Sequence, residues 1–236
     1  SGVIHSGLYY KPGSKKAELC MKGKRDLVVF AKEYNVPHDL CGKVVVATNE
    51  KEIEALERIF QNGQANGCDG IEIIDGNQIK EKEPFVEGIK GIWVPTTGII
   101  DYRKMTKVMA EKIQGLNPAS KIRTKHKVEK VEVINNQSVI KVNGSVFNAN
   151  YVVFCGGLYA DKLAKKDNLK IDLKIVPFRG DYYDLTEKGM HKVKGLIYPV
   201  PDPDFPFLGV HFTRMVNGGV ECGPNAVFSF KREGYK

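Results

Sequence analysis

Helical and strand patterns alternate in blocks along the chain, and this alternation restricts the fold more than any other feature. Apolar residues recur with helical spacing over residues 27–34, and a β-branched segment follows at Lys43–Thr48. A second helical pattern runs from Asp101 to about Leu116, whereas short β-segments dominate between Lys121 and Cys155. Such blocks predict an α+β fold of two interleaved subdomains rather than two consecutive domains.

Local signals predict where individual elements begin and end. Ser14 is a favourable N-cap for a helix to about Tyr34, and Asn143-Gly144 is a strong signal for a β-hairpin. The continuous apolar run Tyr151–Cys155 predicts a strand that is buried on both faces. After Asp172 we expect long strands, broken by Pro and Gly, and almost no helix.

Composition excludes several classes of protein. The 236 residues carry a net charge of +8, but no basic stripe with interleaved aromatic residues accompanies it. We therefore expect a solvated, lysine-rich surface and no nucleic-acid partner; a nucleic-acid or anion-binding module is the alternative that the charge leaves open. The five cysteines are odd in number and widely spaced, which favours reduced thiols in a cytoplasm-like compartment over a zinc site or a disulfide framework.

The best local motif is a strand followed by two glycines and a helix, over residues 151–161. Such a turn brings backbone amides and a helix N-terminus close to a bound group, and both favour an anion. Taken alone, the motif is equally compatible with tight packing.

The Pro- and Gly-rich run Leu196–Lys236 carries the strongest candidates for chemistry. On a strand, His211 and Thr213 share one face, and a neutral imidazole is suited to taking a proton near pH 7. The alternative is a hydrogen-bonded histidine within a sheet. Arg179 and Arg214 are candidates for binding a carboxylate, or else for cross-strand ion pairs. Tyr182 and Tyr198 are candidate hydrogen-bond donors, or else ordinary sheet residues.

This run, together with the opening residues 1–10 (SGVIHSGLYY), resembles the L-2-hydroxyglutarate dehydrogenases and oxidases. Those are FAD enzymes of the D-amino-acid-oxidase and glycine-oxidase superfamily. The resemblance implies a partial FAD-binding domain interleaved with an antiparallel or mixed β-sheet substrate-binding domain. It assigns residues 1–40 and 101–171 to the FAD-binding domain, and residues 41–100 and 172–236 to the substrate-binding domain.

The resemblance also implies roles for individual residues. His211 is the expected catalytic base, and His5 lies beside the flavin as a second catalytic candidate. Arg179 or Arg214 holds a substrate carboxylate, with Tyr182 and Tyr198 as donors. The residues implied to contact FAD are Ser1, Gly2, Val3, Val128, Cys155, Gly156, Gly157, Leu158, Gly223 and Asn225.

The implied activity is the FAD-dependent oxidation of L-2-hydroxyglutarate, or of a close 2-hydroxy acid, to the 2-oxo acid. The alternatives are a related flavoenzyme acting on an amino acid or glycerol 3-phosphate, and an inactive fragment that holds only the substrate-binding sheet. The G-x-G-x-x-G fingerprint is absent, and the resemblance places it upstream of Ser1, so we expect a piece of a longer enzyme.

The implied partners are a small dicarboxylate 2-hydroxy acid and an electron acceptor, either oxygen or a quinone or electron-transfer chain. No bound metal is expected. Exposed sheet edges would allow the chain to dimerise. The expected location is the cytoplasm, or the periphery of the inner membrane.

Overall fold

A computed structural model describes residues 2–166, 169–202 and 209–233 of the chain. Its strands are β1 Val3–Ile4, β2 His38–Asp39, β3 Lys43–Ala47, β4 Glu72–Asp75, β5 Lys90–Val94, β6 Gly98–Ile100, β7 Val128–Ile134, β8 Gln137–Val142, β9 Ser145–Ala149, β10 Phe178–Arg179, β11 Tyr183–Asp184, β12 Leu196–Pro199, β13 His211–Arg214, β14 Val220–Gly223 and β15 Val227–Phe228. Its helices are α1 Lys15–Glu33, α2 Ile53–Ala65, α3 Gly76–Lys82, α4 Tyr102–Leu116, α5 Ala160–Lys166 and α6 Glu187–Met190. None of the helices in the described residues combines the length and apolarity that a membrane span requires.

The chain divides into two compact units, each built from two separate segments. The first unit comprises Ser1–Lys112 and Gly180–Ala226, and the second comprises Ile113–Arg179 and Val227–Lys236. Helices and several sheets occur together, which confirms the α+β fold. The assignment of the four residue ranges to cofactor and substrate domains stays a prediction.

The first unit is organised around a seven-stranded sheet with the order β11-β14-β13-β12-β3-β5-β4. All neighbours are antiparallel except β12 and β3, which run parallel with Leu196 opposite Lys43 and Pro199 opposite Val46. The predicted mixed sheet is therefore confirmed. The parallel pair joins the early segment of the chain to the Pro- and Gly-rich run.

Strand β3, which lies between β12 and β5, is buried over its whole length because both faces of the sheet are covered there. Val45 and Ala47 pack with Leu56 of α2 on one side, and Val44 packs with Ile79 of α3 on the other. A strand with two covered faces has no reason to alternate apolar and polar residues. This explains the continuous β-branched run of the sequence.

A smaller sheet with the order β1-β6-β2 completes the first unit. Ile4 and Ile100 from this sheet pack with Ala31 of α1 and Val108 of α4. Helix α1 begins where the sequence predicted, since the Ser14 hydroxyl accepts a hydrogen bond from the Ala17 amide at 3.3 Å. The predicted helix from Asp101 to Leu116 is also confirmed.

The second unit contains the antiparallel sheet β7-β8-β9 and the antiparallel pair β10-β15. Asn143 and Gly144 have φ of 47° and 77°, the left-handed geometry that a two-residue hairpin turn requires, so the predicted hairpin is confirmed. A bidentate pair also lies here: the Arg232 guanidinium donates to both Asp161 carboxylate oxygens at 2.6 Å.

Two sequence predictions are wrong. Tyr151–Cys155 is not a buried strand: these residues pair with no described strand, and Tyr151 and Val153 are 90% and 84% exposed. A strand of this kind is buried only when parallel neighbours complete its hydrogen bonds. After Asp172 the strands are two to four residues long rather than long, and α6 interrupts them. Proline has no N–H for a ladder, which limits strand length in a run rich in this residue.

Gly42, just before β3, allows the backbone to pass close to the Trp93 ring. Gly42 has φ of 81°, and a Cβ at this position would overlap the Trp93 ring. Gly13 has a similar φ of 75°, but nothing lies within 4 Å of the position of its Cβ. A side chain at either position would strain the backbone, but only a side chain at position 42 would also overlap a neighbouring residue.

Gly42→Ala is expected to lower the free energy of unfolding by about 2–4 kcal/mol, and Gly13→Ala by about 1 kcal/mol, because only the first adds overpacking to strain. Urea unfolding of the intact protein measures both. Equal losses in the two variants would contradict the close approach of Trp93 to the backbone.

Candidate active site

A cavity of about 180 Å³ lies in the first unit, beside the start of β3. The segment after β1 supplies His5, Ser6, Tyr9 and Tyr10 to its wall, while Lys43 of β3 and Tyr198 of β12 supply the rest of the polar lining. Lys43 and Tyr198 lie on neighbouring strands because β3 and β12 pair in parallel. The cavity thus draws its polar groups from distant parts of the sequence.

Lys43 is the most unusual of these residues, since its side chain is charged by nature and only 2% of the residue is exposed. Its Nζ lies 4.4 Å from the centre of the Tyr9 ring and 4.9 Å from that of Tyr198. No carboxylate among the described residues forms an ion pair with it. Burial lowers the pKa of Lys43 to about 7, so that charged and neutral forms coexist at neutral pH.

His211 is held by the same aromatic ring. Its imidazole stacks on Tyr198, with ring centres 4.1 Å apart, and its Nδ1 lies 3.0 Å from the Gly209 carbonyl oxygen. A carbonyl can only accept, so Nδ1 of the neutral ring carries the proton and Nε2 keeps a free lone pair. Burial, followed by the charge of Lys43, lowers the pKa of His211, although the bond to Gly209 opposes the shift.

His5 borders the cavity from the segment after β1. Burial first, and then the charges of Lys43 and His211, lower its pKa as well. The charge of Lys43 therefore disfavours protonation of both histidines. Such coupled bases are more typical of a functional site than of a structural core.

The remaining predicted substrate-binding residues are not among those that line this cavity. Arg214 forms a short ion pair with Asp39, and it lies on the face of β13 opposite His211, because successive strand residues alternate. Tyr182 is 46% exposed, and Arg179 lies in β10 of the second unit. Of the sequence-predicted residues, the cavity thus gathers Tyr198 and His5 in its wall, with His211 stacked on Tyr198.

The candidate cofactor residues of the first unit lie at the ends of strands. Gly2 and Val3 are buried at the start of β1, and Gly223 ends β14. The Asn225 side-chain oxygen accepts a hydrogen bond from the Asp181 amide at 2.8 Å. Ser1 lies outside the described residues.

The other cofactor candidates belong to the second unit. Val128 begins β7, and the glycine turn precedes α5. Gly157 has φ of 50° and nothing within 4 Å of the position of a Cβ, while Cys155 and Leu158 are exposed. An open glycine turn with exposed neighbours fits the close approach of an extended ligand such as FAD. Gly156 fits the alternative interpretation, in which the glycines allow tight packing, because a Cβ there would overlap Leu163.

Sequence reasoning missed Lys43, Tyr9 and Ser6. The available signal was the position of Lys43 as the only charged residue in the run KVVVA, a segment that reads as buried on both faces. Within residues 2–166, 169–202 and 209–233, no cluster of three or more His, Cys, Asp or Glu side chains is arranged to hold a metal ion.

Comparison with known proteins identifies the family. The sequence profile of the family described as FAD dependent oxidoreductase matches residues 1–235. The chain belongs to this family of FAD dependent oxidoreductases. It is 50% identical over 237 residues to L-2-hydroxyglutarate dehydrogenase of Indibacter alkaliphilus, a match that covers 100% of this chain and 59% of that protein. It is 41% identical over 248 residues to the mitochondrial L-2-hydroxyglutarate dehydrogenase of Homo sapiens, covering 100% of this chain and 53% of that one.

Two solved structures of oxidases share the fold. L-α-glycerophosphate oxidase of Mycoplasma pneumoniae, with FAD bound, superposes with a TM-score of 0.86 at 24% identity, over 99% of this chain and 62% of that one. Glycine oxidase of Geobacillus kaustophilus superposes with a TM-score of 0.81 at 14% identity, over 98% and 61% of the two chains. The chain therefore spans about 60% of these proteins.

Lys43→Met is expected to raise the free energy of unfolding at pH 6 by about 1–4 kcal/mol, because it removes a buried ammonium that has no carboxylate partner. The pKa of Lys43 falls on folding from about 10.4 to about 7. Between these two pH values, Lys43 is protonated in the unfolded chain but not in the folded one. The free energy of unfolding of the wild type therefore rises with pH over this range, and the extra stability of Lys43→Met shrinks.

Urea unfolding of the intact protein at pH 6 and pH 9 measures this effect. Lys24→Met is the matched control, because Lys24 is also buried but donates a hydrogen bond to the Thr96 hydroxyl at 3.1 Å. A Lys43→Met variant that is less stable than wild type at pH 6 would contradict the account of Lys43.

Proposed function

We propose that the intact protein uses FAD to oxidise L-2-hydroxyglutarate, or a close 2-hydroxy acid, to the 2-oxo acid. The observation that carries this proposal is His211, a half-buried, neutral imidazole with a free Nε2 beside the cavity that Lys43 lines. The 50% identity to an L-2-hydroxyglutarate dehydrogenase supports the substrate class. A cavity with a buried cation suits an anionic acid.

In this proposal, Nε2 of His211 takes the proton of the substrate hydroxyl. Stacking on Tyr198 and the bond from Nδ1 to Gly209 fix the ring, so that the lone pair is aimed before the substrate arrives. FAD, when bound, would supply the redox chemistry of the hydride transfer. His5, which lines the same cavity, is the second candidate for a catalytic role.

The cofactor and substrate contacts of the sequence analysis enter the proposal as candidates. The residues proposed to contact FAD are Ser1, Gly2, Val3, Val128, Cys155, Gly156, Gly157, Leu158, Gly223 and Asn225. Tyr198 would donate a hydrogen bond to the substrate. Arg179, Arg214 and Tyr182 are candidates for contacting one of its carboxylates, with Arg214 shared with Asp39.

The proposal also includes an electron acceptor, a cellular location and a dimer contact, none of which follows from the geometry of the site. Electrons would pass from the reduced flavin to oxygen, or to a quinone or electron-transfer chain, either in the cytoplasm or at the periphery of the inner membrane. Strands β11 and β4 form the two edges of the large sheet, and dimerisation would use such an edge.

The visible spectrum of the intact protein without oxygen tests the function. L-2-hydroxyglutarate should bleach the flavin, whereas glycerol 3-phosphate and a panel of amino acids should leave it oxidised. Bleaching by glycerol 3-phosphate or an amino acid alone would move the chain to another activity of the family. A protein that retains no flavin would contradict FAD binding.

His211→Gln should lower kcat by about 10²–10⁴-fold, because a general base contributes about this much. Since burial lowers the pKa of His211 below its usual value, protonation of His211 should lower kcat/KM of the wild type only below about pH 6.5. Steady-state kinetics across pH 5–9 measure both effects.

His126→Gln serves as the control, because His126 is exposed and lies in the second unit. Unchanged kcat in His211→Gln would refute the role of the imidazole as base.

A further inference from the structure

We propose that Lys43, Tyr9 and Ser6 form an anion-binding pocket that holds one carboxylate of the substrate. This inference rests on the proposed function, since it names the residues that select an acid at the same site. It moves the main carboxylate contact from the predicted arginines to a lysine that the sequence does not single out.

The first argument is the cost of burying Lys43. Removing an ammonium from water is unfavourable unless a charge or good hydrogen bonds compensate for it. Among the described residues, Lys43 forms no ion pair with a carboxylate. Its Nζ lies over the faces of the Tyr9 and Tyr198 rings, and the Cys20 and Cys68 thiols are within electrostatic reach. A bound carboxylate would supply the missing negative charge.

The second argument comes from the hydroxyl groups of two residues that line the same cavity. The Tyr9 hydroxyl and the Ser6 hydroxyl are both buried, and neither finds a hydrogen-bond partner among the described residues. Buried polar atoms are satisfied in nearly all native structures, so an orphan needs an explanation. Two hydroxyl donors and an ammonium are a suitable set for the two oxygens of a carboxylate.

The third argument is size and position. The cavity of about 180 Å³ holds several times the share of liquid volume of one water, which is about 30 Å³. Tyr198 contacts both Lys43 and His211, on whose ring it stacks. A carboxylate at Lys43 would therefore be anchored one aromatic ring away from the base, which restricts where the substrate hydroxyl can lie.

Binding of a carboxylate should also change the protonation of Lys43. An anion favours the charged form, so the amine should take up a proton above pH 7 when the ligand binds. The titratable groups around it are His5 and Tyr9 from the segment after β1, Cys20 from α1, Cys68, and His211 with Tyr198 from the sheet. At pH 8 both histidines are neutral, because their pKa values are lowered.

Calorimetric titration of the intact protein with glutarate tests the pocket. Glutarate keeps both carboxylates of the proposed substrate but lacks the hydroxyl, so it binds without turnover. Lys43→Met should weaken glutarate binding by at least about tenfold, and by up to about 100-fold, which is the usual range for a lost charge-assisted hydrogen bond.

Tyr9→Phe removes only the hydroxyl and should weaken binding by about 2- to 10-fold while leaving the protein as stable as the wild type or more stable. Lys24→Met should bind glutarate as the wild type does. Titrations at pH 8 in buffers of different ionisation enthalpy should show proton uptake by the wild type and none by Lys43→Met.

The outcomes separate this inference from the proposed function. If L-2-hydroxyglutarate bleaches the wild-type flavin but Lys43→Met binds glutarate with unchanged Kd, the pocket is wrong and the function stands. If Lys43→Met lowers kcat alone, Lys43 acts on the reacting hydroxyl, and the pocket is again wrong. If the wild type neither oxidises the acid nor binds glutarate, the function fails and the pocket fails with it.

Discussion

The parallel pairing of β3 with β12 is the interaction on which the candidate site depends. It sets Leu196 opposite Lys43, and so places the Pro- and Gly-rich run beside a strand that precedes it by about 150 residues. Tyr198 then lies next to Lys43, and the antiparallel partner β13 stacks His211 on Tyr198. A slip of one residue would turn each of these side chains to the opposite face of the sheet. The pairing register of β3, β12 and β13, rather than any single side chain, therefore brings the residues of the site together.

Burial of Lys43 links stability to function within this sheet. An ammonium without a carboxylate partner costs stability, and the surrounding core of β3 is extensive enough to tolerate it. Proteins commonly keep a destabilising group where a ligand binds to it, and they lose function when that group is replaced. The lowered pKa values of His211 and His5 have the same origin, because both depend on burial and on the charge of Lys43.

Local signals in the sequence predicted the elements well and the site only in part. The Ser14 cap and the Asn143-Gly144 turn act through their own backbone geometry, so a sequence reader can find them. Tyr151–Cys155 was misread because burial depends on neighbouring strands rather than on the run itself. Lys43 was missed because it is the packing of Tyr9 and Tyr198, remote in sequence, that makes it unusual. The role of His211 was predicted from the family resemblance together with its place on one face of a strand, and it stays a prediction.

The most direct test of the central claim is the titration of the Lys43 amine by NMR, with lysines labelled at the ε-carbon and Lys43→Met used to assign the signal. The account predicts that this lysine titrates near pH 7 in the free protein and at a higher pH when glutarate is bound. A Lys43 signal that titrates at the ordinary lysine value of about 10.4, with or without glutarate, would contradict it.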